Sequence, residues 1–406
     1  MVKSLPPESR STFRWECFRS AGSGAIESAG MTVLLLVAVR VFQLGEGAKS
    51  LVSTAGSCGL LLSPLVVYWV QHRGMPVKRA AASIAFTGSI LFLMMAILDA
   101  PLAFAVLSVA AMTCSSAKIP LISSFHQHFF PASQRGSLFS WIMMIRIVSV
   151  AVVTWGCGSL LGMNSEWWRW IVLFFSLCFA LIGLCYTRYP VHRLDQNDIH
   201  TPWSGFHWLK SDRLFFWTLV SWMVMGFGNL MMLPLRIEYL SDVESGVWME
   251  PDRVALLTAV IPGISRLVCV PFWGRIFDRI SLFRLRIGLN LFFALHVFLF
   301  FNMKDFWGLA LASAVFGVAH AGGDVAWNLW VTRLAPDGRA ADYMAVHTFM
   351  TGLRGFMAPF AGFWLLGFTS YQNLAWLGGS LMILAGLFIL RPALNQLDFQ
   401  RQNARL

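Results

Sequence analysis

Long apolar runs alternate with short polar breaks along almost the whole of this chain. Most runs approach or exceed the roughly 20 residues that a helix needs to cross the hydrocarbon core of a bilayer. The pattern predicts helices near 15–42, 48–71, 77–98, 101–128, 134–162 and 166–187. A second set is predicted near 211–240, 252–276, 281–302, 306–333, 339–368 and 371–391. One long polar interval, "RYPVHRLDQNDIHTPWSGFHWLK" at 188–210, separates the two sets. The expected architecture is an all-α integral membrane protein of twelve transmembrane helices. It divides into an N-terminal six-helix bundle (1–187), a cytoplasmic linker (188–210) and a C-terminal six-helix bundle (211–406). The end of the linker, with Trp203, Phe206 and Trp208 beside His207 and Lys210, suits the membrane interface.

Composition agrees with the pattern. The 406 residues are 57% hydrophobic and only 13% charged, whereas a soluble domain carries about 25% charged residues. The net charge of +11 would suggest a nucleic-acid partner in a soluble protein. Here the basic residues follow the bilayer instead, and no nucleic-acid partner is expected. With the N-terminus inside, about 21 of the 31 Lys and Arg fall on the cytoplasmic side, about five opposite and about five within spans. That bias predicts both termini in the cytoplasm, and basic loops of this kind suit a bacterial inner membrane. The loop "RIEYLSDVESGVWMEPDR" is acidic and is expected to face outward.

The seven cysteines form no C-x-x-C pair and lie mostly inside apolar runs. They supply neither a disulfide framework nor a zinc spacing and are read as small packing residues. The basic start leads into the first apolar run without a small-residue cleavage site, so no cleavable leader is expected.

The two halves echo one another. "KIPLISSFHQHFFPASQRGS" and "DVAWNLWVTRLAPDGRAAD" are offset by about 205 residues, so that Pro131 falls on Pro336 and Leu160–Gly162 on Leu365–Gly367. Paired six-helix halves are the layout of many secondary transporters. After the eighth run comes "GRIFDRISLFRLR", Gly274 to Arg286. Its Gly274, Asp278 and Arg279, with Arg284 and Arg286 in a basic tail, resemble the G-x-x-x-D-R loop of the major facilitator superfamily. The matching loop of the first half, "VYWVQHRGMPVKRA", has Gln71 in place of the acid and His72 in place of the arginine, but keeps Gly74, Lys78 and Arg79. "GLRGFMAPFAG" in the eleventh run is similar to the glycine–proline pattern of that family's antiporters, although they carry it in the fifth helix.

The resemblance implies the major facilitator fold and alternating access. Helices one, four, seven and ten would line a central cavity, flanked by two, five, eight and eleven, with three, six, nine and twelve facing lipid. It also implies a gating role for Asp278 and Arg279, with Arg339 as a neighbouring partner. An anion at a helix start is electrostatically favourable.

Against that arrangement the intramembrane polar residues become informative. Glu27, Lys118, Asn229 and Asp324 fall on helices one, four, seven and ten, and Arg146, Arg266 and Arg354 on five, eight and eleven. The remaining helices carry almost no charge in their middles, His296 being the main polar exception. Glu27 and Asn229 each follow a glycine, Gly24 and Gly226, by three residues. Six central charges would cost roughly 15–20 kcal/mol if none were paired or hydrated. Four cations stand against two carboxylates, so at least two lack an intramembrane partner, which points to an anionic or zwitterionic solute. The arginine fork suits a carboxylate or phosphate.

Lys118, Arg146, Asn229, Arg266, Asn328, Arg354 and Trp327 are therefore the candidate substrate contacts. Glu27 and Asp324 are the candidate proton-coupling groups. His320, Asp324 and Asn328 recur every four residues and share one helix face. Trp330 and His347 are neighbours whose commoner role is packing. Burial and a nearby cation act in opposite senses on a carboxyl's proton affinity, and alternating access changes both.

The expected function is secondary active transport of a small solute, coupled to protons or another ion by symport or antiport, in a monomer surrounded by membrane lipids. No cofactor or metal is expected. An enzyme is disfavoured, since "FHQHFF" (His126, His128) has no companion histidine cluster and no serine–histidine or phosphate-loop motif occurs. A lipid or lysolipid translocator, or a non-transporting solute sensor on the same fold, is the alternative.

Overall fold

The computed structural model describes residues 6–130, 135–194, 201, 203–335 and 340–390. Among these the chain is helical, without strands. The first helices are α1 (Pro7–Arg40), α2 (Glu46–His72) and α3 (Val77–Ile97). They are followed by α4, built from Pro101–Ala117 and Ile119–Phe129, then α5 (Arg135–Met163) and α6 (Trp168–Thr187). After the connector come α7 (Arg213–Ser241) and α8, three segments in series: Pro251–Ala255, a π-turn at Leu256–Val260 and Ile261–Arg279. Then follow α9 (Leu282–Asn302), α10 (Phe306–Leu334), α11 (Ala340–Leu366) and α12 (Tyr371–Leu387). Ten of these are long and apolar enough to cross a membrane among the described residues, so the protein is a multi-pass integral membrane protein.

Local chemistry sets the ends. Asp212 and Asp305 cap α7 and α10, each carboxylate accepting at 2.9 Å from a backbone N–H three residues on (Phe215 and Gly308). Pro101 opens α4, where its missing N–H costs nothing. The same helix breaks at Lys118, before Pro120. α1 starts at Pro7, earlier than hydropathy predicts, because its polar first turns are stabilised by pairing: Arg19 Nε donates to Glu16 Oε2 at 2.5 Å, and His126 Nε2 lies 2.7 Å from Glu16 Oε1.

The chain divides into two compact units, one of residues 1–203 with 249–260, the other of 204–248 with 261–406. In the first, α1 packs along α5, α2 along α4, and α3 along α6. In the second, α7 packs along α11, α8 along α10, and α9 along α12. Glycines allow the closest approaches. A Cβ on Gly24 of α1 would lie 2.7 Å from Ser149 Cβ of α5, and one on Gly317 of α10 would lie 2.7 Å from Ser265 Cβ of α8. Gly59 and Gly362 meet α4 and α7 in the same way. Such small-residue contacts let membrane helices gain packing energy where lipid offers no hydrophobic drive.

Helices α3, α6, α9 and α12 present exposed apolar stripes. Phe174, Leu177, Leu181 and Leu184 on α6 recur at helical spacing, as do Ile90, Leu93, Met94 and Ile97 on α3. Surfaces of this kind suit lipid rather than water.

The degenerate loop of the first half has a structural role. Gly74 takes the left-handed conformation (φ 57°), and its carbonyl accepts from Arg193 Nη1 at 3.1 Å. Lys78 Nζ donates to the Tyr189 carbonyl at 2.9 Å, and the Val77 N–H donates to the His192 carbonyl at 2.9 Å. The start of the connector is thereby tied to the α2–α3 turn.

Candidate functional site

Each unit holds one acid–arginine pair on a helix pair that closes over a glycine. In the first, Arg146 of α5 donates its Nε to Glu27 Oε2 of α1, one turn beyond the Gly24 contact. The Arg146 side chain remains 40% exposed and that of Glu27 17%. Both therefore sit at an accessible surface rather than sealed in the bundle. A π-turn at Ala29–Val33 follows Glu27 directly, and π-turns are frequent at functional sites. In the second unit, Arg266 Nε of α8 donates to Asp324 Oδ2 of α10 at 2.6 Å. His320 Nδ1, one turn before Asp324, lies 3.6 Å from the same oxygen. That is an ion-pair distance for a protonated imidazole and too long for a hydrogen bond.

Each unit also holds a cation that no carboxylate joins among the described residues. Lys118 is 2% exposed, and its Nζ donates to the carbonyls of Cys114 and Ser115 at 3.0 and 3.1 Å while lying 5.1 Å from the Phe179 ring centroid. The break in α4 frees carbonyls for it to cap. Arg354 of α11 packs against Gly226 of α7, and its Nη1 donates to the Trp222 carbonyl. Comparison of the halves accounts for the lack of an acid at Arg354. Glu27 follows Gly24 by three residues and finds Arg146; Asn229 follows Gly226 by three and offers Arg354 no charge.

The remaining predicted residues are placed as follows. Asn229 is half-buried on α7. Trp327 is half-buried, its ring 5.4 Å from that of His347. Trp330 is fully buried against Phe215 and belongs to the core. Arg279 is exposed at the end of α8. Arg339 lies outside the described residues, as do the side chains of Asp278 and Asn328.

Four charged groups escape a hydropathy reading, and the first is Arg236, expected at the start of the acidic loop but 3% exposed inside α7. Glu16 and Arg19 lie within α1, 0% and 7% exposed, where the sequence suggests a basic leader to the first span. Arg286, assigned by the resemblance to a basic loop tail, is fully buried inside α9 with its Cζ 3.4 Å from the Trp222 ring centroid. The spacing Arg286–Asn290, two polar residues one turn apart in an apolar run, is the signal that marks it.

No family model matches the chain, and no curated protein matches its sequence. Solved structures do match its fold. The nucleoside transporter NupG superposes with a TM-score of 0.71 at 12% identity, over 93% of this chain and 98% of that one. A D-xylose-proton symporter matches with a TM-score of 0.67 at 16% identity, over 93% and 96%. A POT family transporter in complex with 5-aminolevulinic acid matches with a TM-score of 0.72 at 12% identity, over 97% and 99%. Near-complete coverage in both directions, with helices throughout, shows that the chain shares the fold of these transporters.

Proposed function

We propose that the protein is a secondary active transporter of a small anionic or zwitterionic solute, working by alternating access and coupled to protons. The observation that carries this reading is the charge pattern of the two units. Each has a carboxylate–arginine pair joining two helices beside a glycine contact, Glu27–Arg146 or Asp324–Arg266, and each has a further cation, Lys118 or Arg354, without a carboxylate partner among the described residues. The solved structures of like fold carry names of transporters, one of them a proton symporter and one holding the zwitterion 5-aminolevulinic acid.

In this reading the proton and the guanidinium compete for one carboxylate. Charged Asp324 holds Arg266; protonated Asp324 releases it, and the fork becomes free to take a carboxylate or phosphate of the solute. Glu27 and Arg146 supply the same exchange in the first unit. Asn229, Asn328 and Trp327 provide neutral hydrogen bonds and an aromatic wall, with Lys118 and Arg354 adding positive field. Asp278, Arg279 and Arg339 form the gate. The twelve helices make two six-helix bundles joined by 188–210, with both termini cytoplasmic in a bacterial inner membrane.

The test is a thermal-shift screen of purified protein against small anions, amino acids, nucleosides and lysolipids, followed by flux in reconstituted liposomes. A ligand of the folded state raises the unfolding midpoint. The proposal expects a small anion or zwitterion to raise it and to be accumulated under an inward proton gradient. A lysolipid as the sole ligand, or binding without flux, contradicts it.

A further inference from the structure

Around Trp222 the second unit gathers more positive charge and more N–H donors than it has acceptors to receive them. Arg286 of α9 is fully buried, stacked 3.4 Å over the Trp222 ring, with Nη2 3.2 Å from Ser221 Oγ. Arg354 reaches the carbonyl of the same tryptophan. His347, two turns before Arg354 on α11, is also fully buried, its ring 5.7 Å from that of Trp222. Arg354 is near enough to interact electrostatically with both Arg286 and His347. Among the described residues, Nε and Nη1 of Arg286, Nε of Arg354, both nitrogens of His347 and Nε1 of Trp222 are buried and have no hydrogen-bond partner. The Asn290 amide, one turn along α9 from Arg286, is in the same condition.

Two guanidinium groups cannot rest here uncompensated. Arginine does not give up its proton in proteins, and burying one ion costs several kcal/mol even after relaxation. Stacking on Trp222 returns about 2 kcal/mol to Arg286 and nothing to Arg354. Water would satisfy donors but bring no charge. A group that accepts at every atom and is negative satisfies both needs.

We propose that Arg286, Arg354 and His347 form a binding site beside Trp222 for a compact oxyanion, a phosphate- or carboxylate-type group. The site shares Arg354 with the transport reading above, and its His347 ring lies 5.4 Å from that of Trp327, whereas Arg286 plays no part in that reading. The Arg286 variants therefore separate failure of this proposal from failure of the transport reading. The anion has two sources of like chemistry, a free ion from the aqueous phase or the phosphate of a membrane lipid.

The test measures thermal unfolding of the full-length protein, delipidated in an uncharged detergent, at constant pH and ionic strength against a chloride background. Inorganic phosphate, sulfate, acetate and phosphatidic acid in mixed micelles are titrated separately. At least one is expected to raise the midpoint saturably. A rise with the inorganic ions or acetate assigns a free anion; a rise with phosphatidic acid alone assigns a lipid headgroup. Arg286→Met is expected to abolish the rise and, without added anion, to unfold at or above the wild-type midpoint, because an apolar side chain replaces an unpaired buried cation. Should Arg286→Met fail to fold, Arg286→Lys keeps the charge without the fork and is expected to need at least tenfold more anion for half the shift. No rise with any of the four, or the same rise in the Arg286 variants, overturns the proposal.

Discussion

Arg266 Nε donates to Asp324 Oδ2 at 2.6 Å, binding α8 to α10 through charge seven residues beyond the point where Gly317 brings their backbones together. The side chains are 12% and 28% exposed, so the pair is neither sealed in a core nor fully hydrated. An ion pair in that intermediate setting is held by attraction yet remains open to a competing proton or solute. Glu27 and Arg146 repeat the relationship between α1 and α5, beside Gly24.

The glycine contacts are therefore expected to matter for the pairs as well as for packing. Gly24→Val and Gly317→Val would press a new Cβ against Ser149 or Ser265. Overpacking of this kind costs about 1–3 kcal/mol. Each variant should lower the unfolding midpoint and weaken flux. Gly156→Ala and Gly288→Ala, whose Cβ would meet nothing within 4 Å, should leave the midpoint unchanged or raised. Equal behaviour of the two sets would show that the helices are not held at these points.

The orientation is tested at the loop after α7, which the proposed topology places outside. Val243, 75% exposed beyond α7, is replaced by cysteine in a chain whose seven natural cysteines are changed to serine or alanine. A membrane-impermeant maleimide added to cells should label it. Labelling only after the cytoplasmic face is opened would invert the topology.

At the connector, the His192 ring stacks on His128 with centroids 4.3 Å apart. Burial first, and His128 second, hold the His192 imidazole below its ordinary value of 6.5. The unfolded chain therefore binds this proton more readily than the folded one. The stabilising contribution is fully present above about 6.5 and is lost as pH falls from there through the lower, folded value. His192→Phe should flatten the decline of the unfolding midpoint as pH falls below about 6.5. An unaltered slope would mean that the stack does not titrate there.

The fold was largely legible in the sequence because a bilayer imposes one length on every span, and hydropathy reports that length directly. The polar residues Glu27, Asp324, Arg146 and Arg266 stood out for the same reason, since each interrupts an apolar run. Which acid meets which arginine was not legible. It depends on α1 lying along α5 and α8 along α10, contacts between helices more than 50 residues apart in sequence for the second pair and more than 100 for the first. Arg286 was obscured because it follows a basic loop, where hydropathy averages it with Arg284 and Arg279. Its place under Trp222 shows that it belongs to the interior, and Asn290, one turn on in the same apolar run, was the sequence signal for it. Glu16 and Arg19 were obscured likewise, each being tolerable inside α1 only because the other is there.

The most direct measurement of the central claim is proton-gradient-driven accumulation in liposomes by Asp324→Asn. The solute is whichever small anion or zwitterion raises the wild-type midpoint. The account predicts that the variant folds, still binds that solute and still exchanges it across the membrane, but no longer accumulates it against a gradient when the inside is made alkaline. Asparagine keeps the size and a hydrogen bond to Arg266 but has no proton to exchange. Full gradient-driven accumulation by the variant would contradict the account, reducing Asp324 to a partner that merely neutralises Arg266.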